Sequence, residues 1–159
     1  MLHAIGRGAV GRLLVAGGNP LLAMRDVQFD PWAVRLIQIQ ICIIYLRSVF
    51  WKLRGEPWRK GTAVSYVLQT MSFRRYSAPR LVLIPAIHRT LTWGTIVIET
   101  YIPIAVWIRD LRYSAIATGW LLHLSLDMFL NVHLFGPAMC AALLLFVPAE
   151  DMARLFMGV

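Results

Sequence analysis

Lys52, Glu99, His123 and Asp127 are the residues of this chain whose types could move protons, and each lies inside or at the edge of an apolar run. Amine, carboxyl and imidazole groups are the usual acids and bases of catalysis, and a low-dielectric setting tunes them for that work. Helical spacing turns the scattered polar residues around them into lines, since each residue rotates a helix by about 100°. Arg35, Gln38, Tyr45 and Lys52 stand at offsets 0, 3, 10 and 17. Gln38, Tyr45 and Lys52 repeat every seven residues on one face, with Gln40 and Arg47 near the opposite one. His88, Thr92, Thr95 and Glu99 stand at offsets 0, 4, 7 and 11, and His123, Asp127 and Asn131 at 0, 4 and 8.

An aspartate or arginine at a bilayer centre costs about 2.5–3.5 kcal/mol on insertion scales. Polar residues aligned on single faces therefore meet one another or water rather than lipid. Two readings of the stripes stay open: a proton-transfer site, or polar contacts that join helices. Under the second, Glu99 pairs with Arg89 or across the bundle, while Lys52 and Arg47 reach toward headgroups. His88, near the start of its run, and His133, in a short connection, read as structural. Trp51, Trp58, Trp93, Trp107 and Trp120 include candidate interfacial anchors. His123 and Asp127 could share a metal with Glu99, but the spacing is unspecific without a second histidine motif.

The elements that must position these residues follow from composition. The chain has 159 residues, 58% hydrophobic and 15% charged, with mean hydropathy +0.63. That leaves too little polar surface to cover a water-soluble globule, and lipid is the environment that accepts the excess. The expected fold is all-α, a polytopic transmembrane bundle of about four helices. The apolar runs cover residues 32–51, 81–108 (core 87–102, with Pro85 and Pro103 kinking or breaking the ends), 113–130 and 134–149. The last is short and closes at Pro148. A basic loop, 52–80, joins the first two.

The net charge of +8 sits mostly between the runs, which points to membrane flanks rather than nucleic acid. Charge leaves the orientation open: seven Lys/Arg in residues 52–80 oppose six on the other side. Cys42 and Cys140 lie in apolar runs and read as small core residues. Residues 1–31 are Gly-rich and interrupted by charge, unlike a cleaved signal.

The order of several motifs resembles a known family. The segment Ile37-Gln38-Ile39-Gln40 through Tyr45, then Trp51-Lys52-Leu53-Arg54-Gly55-Glu56-Pro57-Trp58 and Gly61-Thr62-Ala63, looks like the HTTM (horizontally transferred transmembrane) proteins. Gly94-Thr95, Glu99 and Pro103 resemble their Gly-Thr…Glu…Pro helix, and His123, Asp127 and Asn131 their His…Asp…Asn helix. The resemblance spans residues 32–151, leaving 152–159 as a tail. These proteins are related to vitamin K-dependent gamma-carboxylase, and the resemblance implies a bacterial protein of the cell membrane.

By this resemblance Lys52 matches the proposed base that deprotonates a vitamin K-like hydroquinone, a role that needs a neutral amine. His123 matches a membrane histidine that assists proton transfer. Asp127 and Glu99 complete the implied catalytic set, with Gln38, Tyr45 and Asn131 toward a quinone-type cofactor. The bulkier Arg47-Ser48-Val49-Phe50 departs from the small residues usual there. The N-terminal helices of a full domain are not recognisable, so a C-terminal portion of the domain is expected. The alternatives are a non-enzymatic membrane module for binding a membrane or peptide partner, toxin processing or immunity, or an inactive fragment.

Overall fold

The computed structural model describes residues 31–70, 75–76, 80, 84–132 and 134–157. The Gly-rich stretch before Pro31, Arg74 and His133 lie outside them. Residues Arg35–Val159 form one compact unit; of Met1–Val34 only the first helical turn is described. Among the described residues the regular elements are all helices: α1 (Pro31–Arg54), α2 (Glu56–Arg59), α3 (Ala63–Gln69), α4 (Pro85–Ala105), α5 (Arg112–Phe129), α6 (Phe135–Leu144) and α7 (Ala149–Met157).

Helix α1 opens at Pro31, whose fixed φ and missing N–H suit a first turn, and closes on Lys52 and Arg54, which complement the terminal carbonyls. Its 24 residues extend about 36 Å at 1.5 Å per residue, enough to cross a hydrocarbon core of about 30 Å. Among the described residues it is the one helix both long and apolar enough to span a membrane. Leu36, Ile39, Ile43, Leu46 and Phe50 face outward, whereas Gln38, Ile41, Tyr45 and Val49 are buried. The inward stripe is therefore the polar-dotted one.

Helix α4 starts at Pro85 and carries Pro103 inside its last turn. Pro103 does not break the helix in place; two further residues follow before it ends. Lacking an N–H, Pro103 leaves the Glu99 carbonyl without its usual partner four residues on, and Cys42 Sγ lies 3.7 Å from the Pro103 carbonyl. The fourth apolar run is interrupted. After Leu144 the backbone tightens to bonds three residues back (Leu145 N to Ala142 O, Phe146 N to Leu143 O, Val147 N to Leu144 O). Pro148 then leads into α7, which begins with Glu150 and Asp151 in its first turn and passes through residue 152. The basic loop also holds two short helices. They are separated by a turn at Gly61, whose φ of +72° is available to glycine without a Cβ penalty.

The core gathers Ile41 and Tyr45 of α1, Ile102 and Ala105 of α4, Ala115 and Ile116 of α5, and Met139 and Leu143 of α6. Small residues allow the close approaches. At Gly136 an added Cβ would lie 2.9 Å from both Asp127 Cβ and the His123 carbonyl oxygen, so α6 rests directly on the α5 backbone that carries the histidine. At Gly94 nothing lies within 4 Å. Gly136→Ala is expected to destabilise by about 1–3 kcal/mol through overpacking. Gly94→Ala should be neutral or gain up to about 1 kcal/mol, since glycine is a poor residue in a helix interior. Thermal unfolding of the two purified variants against wild type checks the contrast.

Candidate functional site

Tyr45, Ser48 and Lys52 occupy successive turns of α1 on its buried side, at spacings of three and four residues. This face meets two ionisable residues from other helices. Lys52 Nζ donates to Glu99 Oε1 of α4 as an ion pair, and the two side chains retain only 16% and 7% of their accessible surface. Ser48 Oγ donates to the other carboxyl oxygen, Glu99 Oε2, at 3.0 Å. The Trp58 ring lies under the amine, with Lys52 Nζ 4.7 Å from its centroid. That places the ammonium against the electron-rich face of an indole.

About two turns from Lys52 toward the N-terminus of α1, the Tyr45 hydroxyl lies 2.7 Å from His123 Nε2 of α5. Both side chains are 2% exposed. The Phe135 ring stands edge-on to the imidazole at 5.6 Å between centroids. His123 Nδ1 is buried and has no hydrogen-bond partner among the described residues. A buried polar atom left without a partner costs free energy, and it marks a place where a water or a ligand would be welcome.

Helix α4 reaches the site as a polar edge. His88, Thr92, Thr95 and Glu99 are all buried, so the whole stripe faces inward. Its lower members anchor the chain that carries Trp58: His88 Nδ1 lies 3.0 Å from the Gly61 carbonyl oxygen, and the Val64 amide donates to Thr92 Oγ1 at 3.2 Å. His88 is thus a fastening of the turn after α2, in line with a structural role.

Lys52, Glu99, Tyr45 and His123 are brought together along one face of α1. Three other residues singled out in the sequence are elsewhere. Gln38 is buried but spends its amide on the Leu145 carbonyl at 2.6 Å, about two turns from Tyr45. Asp127, partly exposed, lies 3.9 Å from Arg75. Asn131 is exposed. Glu99 pairs with Lys52 rather than with Arg89, and Lys52 turns inward instead of toward headgroups. Arg47 is exposed beside Trp51, 6.0 Å from its ring. Among the described residues no group of three His, Cys, Asp or Glu gathers for a metal ion. A cleft lined by Arg109, Asp110, Arg112 and Arg154 lies toward the other end of α1, where Gln38 meets Leu145, and is remote from this chemistry.

Sequence reasoning passed over Ser48 and gave Trp58 only an anchoring role. The signal for Ser48 was present: with Tyr45 and Lys52 it completes a run at offsets 0, 3 and 7. Trp58 carries no periodic signal, because the break at Gly55 and the start of α2 at Glu56-Pro57 decide where its ring points.

The described elements and this inward ionisable cluster define a helical protein with a membrane-capable α1. The model of the HTTM domain, a transmembrane family, matches residues 21–150. The chain belongs to this family and is a membrane protein. No curated protein and no solved structure matches it.

The Lys52–Glu99 pair makes a direct prediction. Lys52→Met alone leaves a buried carboxylate without its cation and should destabilise by about 3 kcal/mol, the cost typical of breaking a buried pair. Lys52→Met combined with Glu99→Leu should recover most of that loss. Thermal unfolding of the two single variants and the double variant measures the coupling; additive losses would count against a direct pair.

Proposed function

We propose that this protein is a multi-span membrane protein of the cell membrane that binds a quinone-type ligand and moves a proton within the Lys52–Glu99 and Tyr45–His123 cluster. The observation that carries the reading is the buried contact of the Lys52 amine with Glu99, about two turns of α1 from Tyr45 and its contact His123, whose Nδ1 has no hydrogen-bond partner among the described residues. By length alone α4 and α5, with 21 and 18 residues and about 31 and 27 Å, could accompany α1 in the bilayer, although among the described residues only α1 is also apolar enough to span it unaided. The ten residues of α6 reach about 15 Å and enter only part of the way.

The donor set suits a hydroquinone. It combines an amine, a carboxyl and an imidazole nitrogen with no partner among the described residues, with the Trp58 and Phe135 rings beside them. Such a ligand would supply an ionisable O–H of phenol type. Lys52 Nζ accepts a proton only as the neutral amine. Glu99 Oε1 is the atom in contact that can hold the proton the amine gives up, so a neutral amine and a neutral carboxyl are one state of the same pair. Tyr45 occupies His123 Nε2, which leaves Nδ1 as the imidazole nitrogen able to meet a ligand oxygen. Trp58 shields the amine from water on one side. Carboxylase- or epoxidase-like chemistry is the extension of this reading that the family resemblance implies.

The test is quinol binding by protein purified in detergent or nanodiscs, and quinol oxidation to quinone with dioxygen added as the electron acceptor. Wild type should bind, and Lys52→Ala and His123→Ala should each weaken binding or turnover at least tenfold, about 1.4 kcal/mol. Unchanged behaviour of both variants defeats the reading. It would favour a partner-binding module, which has its own observation in Gln40 and Arg47, exposed on the outer face of α1. A membrane partner that copurifies equally with wild type and both variants would support that second reading.

A further inference from the structure

Glu99 is the residue on which the cluster's two acceptor positions depend, and only one of them is used by Lys52. The second oxygen, Oε2, receives the Ser48 hydroxyl at 3.0 Å. A carboxyl group on a helix can rotate about its last side-chain bond, and a single ion-pair contact leaves that rotation free. With one oxygen held from Ser48 and the other from Lys52, one turn further along the same helix, the carboxyl plane is defined. Both donors come from α1, so the orientation of Glu99 is set by that helix and not by its own.

We infer that Ser48 is a positioning residue of this site: its hydroxyl holds Glu99 Oε2 and thereby presents Oε1 to the Lys52 amine. It acts through Glu99 and touches no ligand. Three observations agree. Ser48 lies three residues after Tyr45 and four before Lys52, so it shares the inward face. Its side chain is partly buried, where a hydroxyl is expected to be hydrogen-bonded. Glu99 is 5% exposed, so water cannot readily replace a lost donor. The role deepens the proton-transfer reading above, but the hydrogen bond can be tested without any turnover.

The probe is the infrared carboxyl band of Glu99, isolated as the difference between wild type and Glu99→Gln in protein labelled with carbon-13 glutamate. Glu99 is one of three glutamates, with Glu56 and Glu150 in the chain, and the subtraction removes the other two. Ser48→Ala should move the Glu99 band, Ser48→Thr should return it toward the wild-type position, and Val49→Ala should leave it in place. In the quinol assay, Ser48→Ala should lower turnover at least threefold with binding nearly unchanged, and Ser48→Thr should recover it. A Glu99 band identical in wild type and Ser48→Ala overturns the inference. A shifted band in a protein that binds no quinol upholds the positioning contact while removing the functional reading, so the two failures are distinguishable. Should Ser48→Ala fail to fold, Ser48→Thr and Ser48→Gly carry the same comparison, with a glycine band at the wild-type position overturning it.

Discussion

A buried carboxylate in a protein with so few charges must be neutralised or hydrogen-bonded, and Glu99 obtains both from α1. Taking charges out of water costs several kcal/mol per ion, and only close geometry with further hydrogen bonds repays it. Lys52 supplies the charge, Ser48 a hydrogen bond, and Trp58 a ring against the ammonium. α1 therefore cannot slide or rotate without exposing an unpaired group. The Tyr45–His123 contact locks the same face to α5, and Gln38 ties it to the turn after α6. A helix whose outer side is mostly apolar is held to its neighbours by polar atoms.

This double duty explains why structural and chemical readings of the polar stripes are hard to part. In lipid there is little hydrophobic force between helices, so polar contacts and close packing do the joining. The same residue types serve acid–base chemistry. His88 and Thr92 fall on the structural side, because they fasten α4 to backbone groups at the Gly61 turn and the start of α3. His123 is different: Tyr45 occupies one ring nitrogen, and the other is buried with no hydrogen-bond partner among the described residues, which is why the proposed chemistry includes it. Lys52 and Glu99 show the overlap most plainly: their contact fastens α1 to α4, and it is also the pair on which the proposed proton transfer rests.

Much of this was legible in the sequence. Periodicity marked the apolar runs that became α1, α4 and α5. It placed His88, Thr92, Thr95 and Glu99 on one face, and all four are buried. The motif order pointed to the family whose model matches residues 21–150. What escaped has physical reasons. Spacing along one helix fixes a face but not the partner across it, so Asp127 and Asn131 shared a stripe with His123 yet ended beside Arg75 and at the surface. Apolar content does not distinguish a helix from a tight turn, so the run through Phe146 hid the change to shorter backbone bonds. Ser48 carries no charge whose burial would have drawn notice. Helices α2 and α3 are too short for a periodic signal inside a charged segment.

The central claim is that Lys52 and Glu99 meet inside the helices of the folded protein. Solid-state NMR in lipid bilayers tests it most directly, by dipolar recoupling between the nitrogen-15 of the Lys52 side chain and the carbon-13 of the Glu99 carboxyl. The signal isolated by subtracting a Glu99→Gln sample should show the strong dephasing of a hydrogen-bonded ion pair. A Glu99 carboxyl that shows no dephasing from lysine nitrogen would contradict the account.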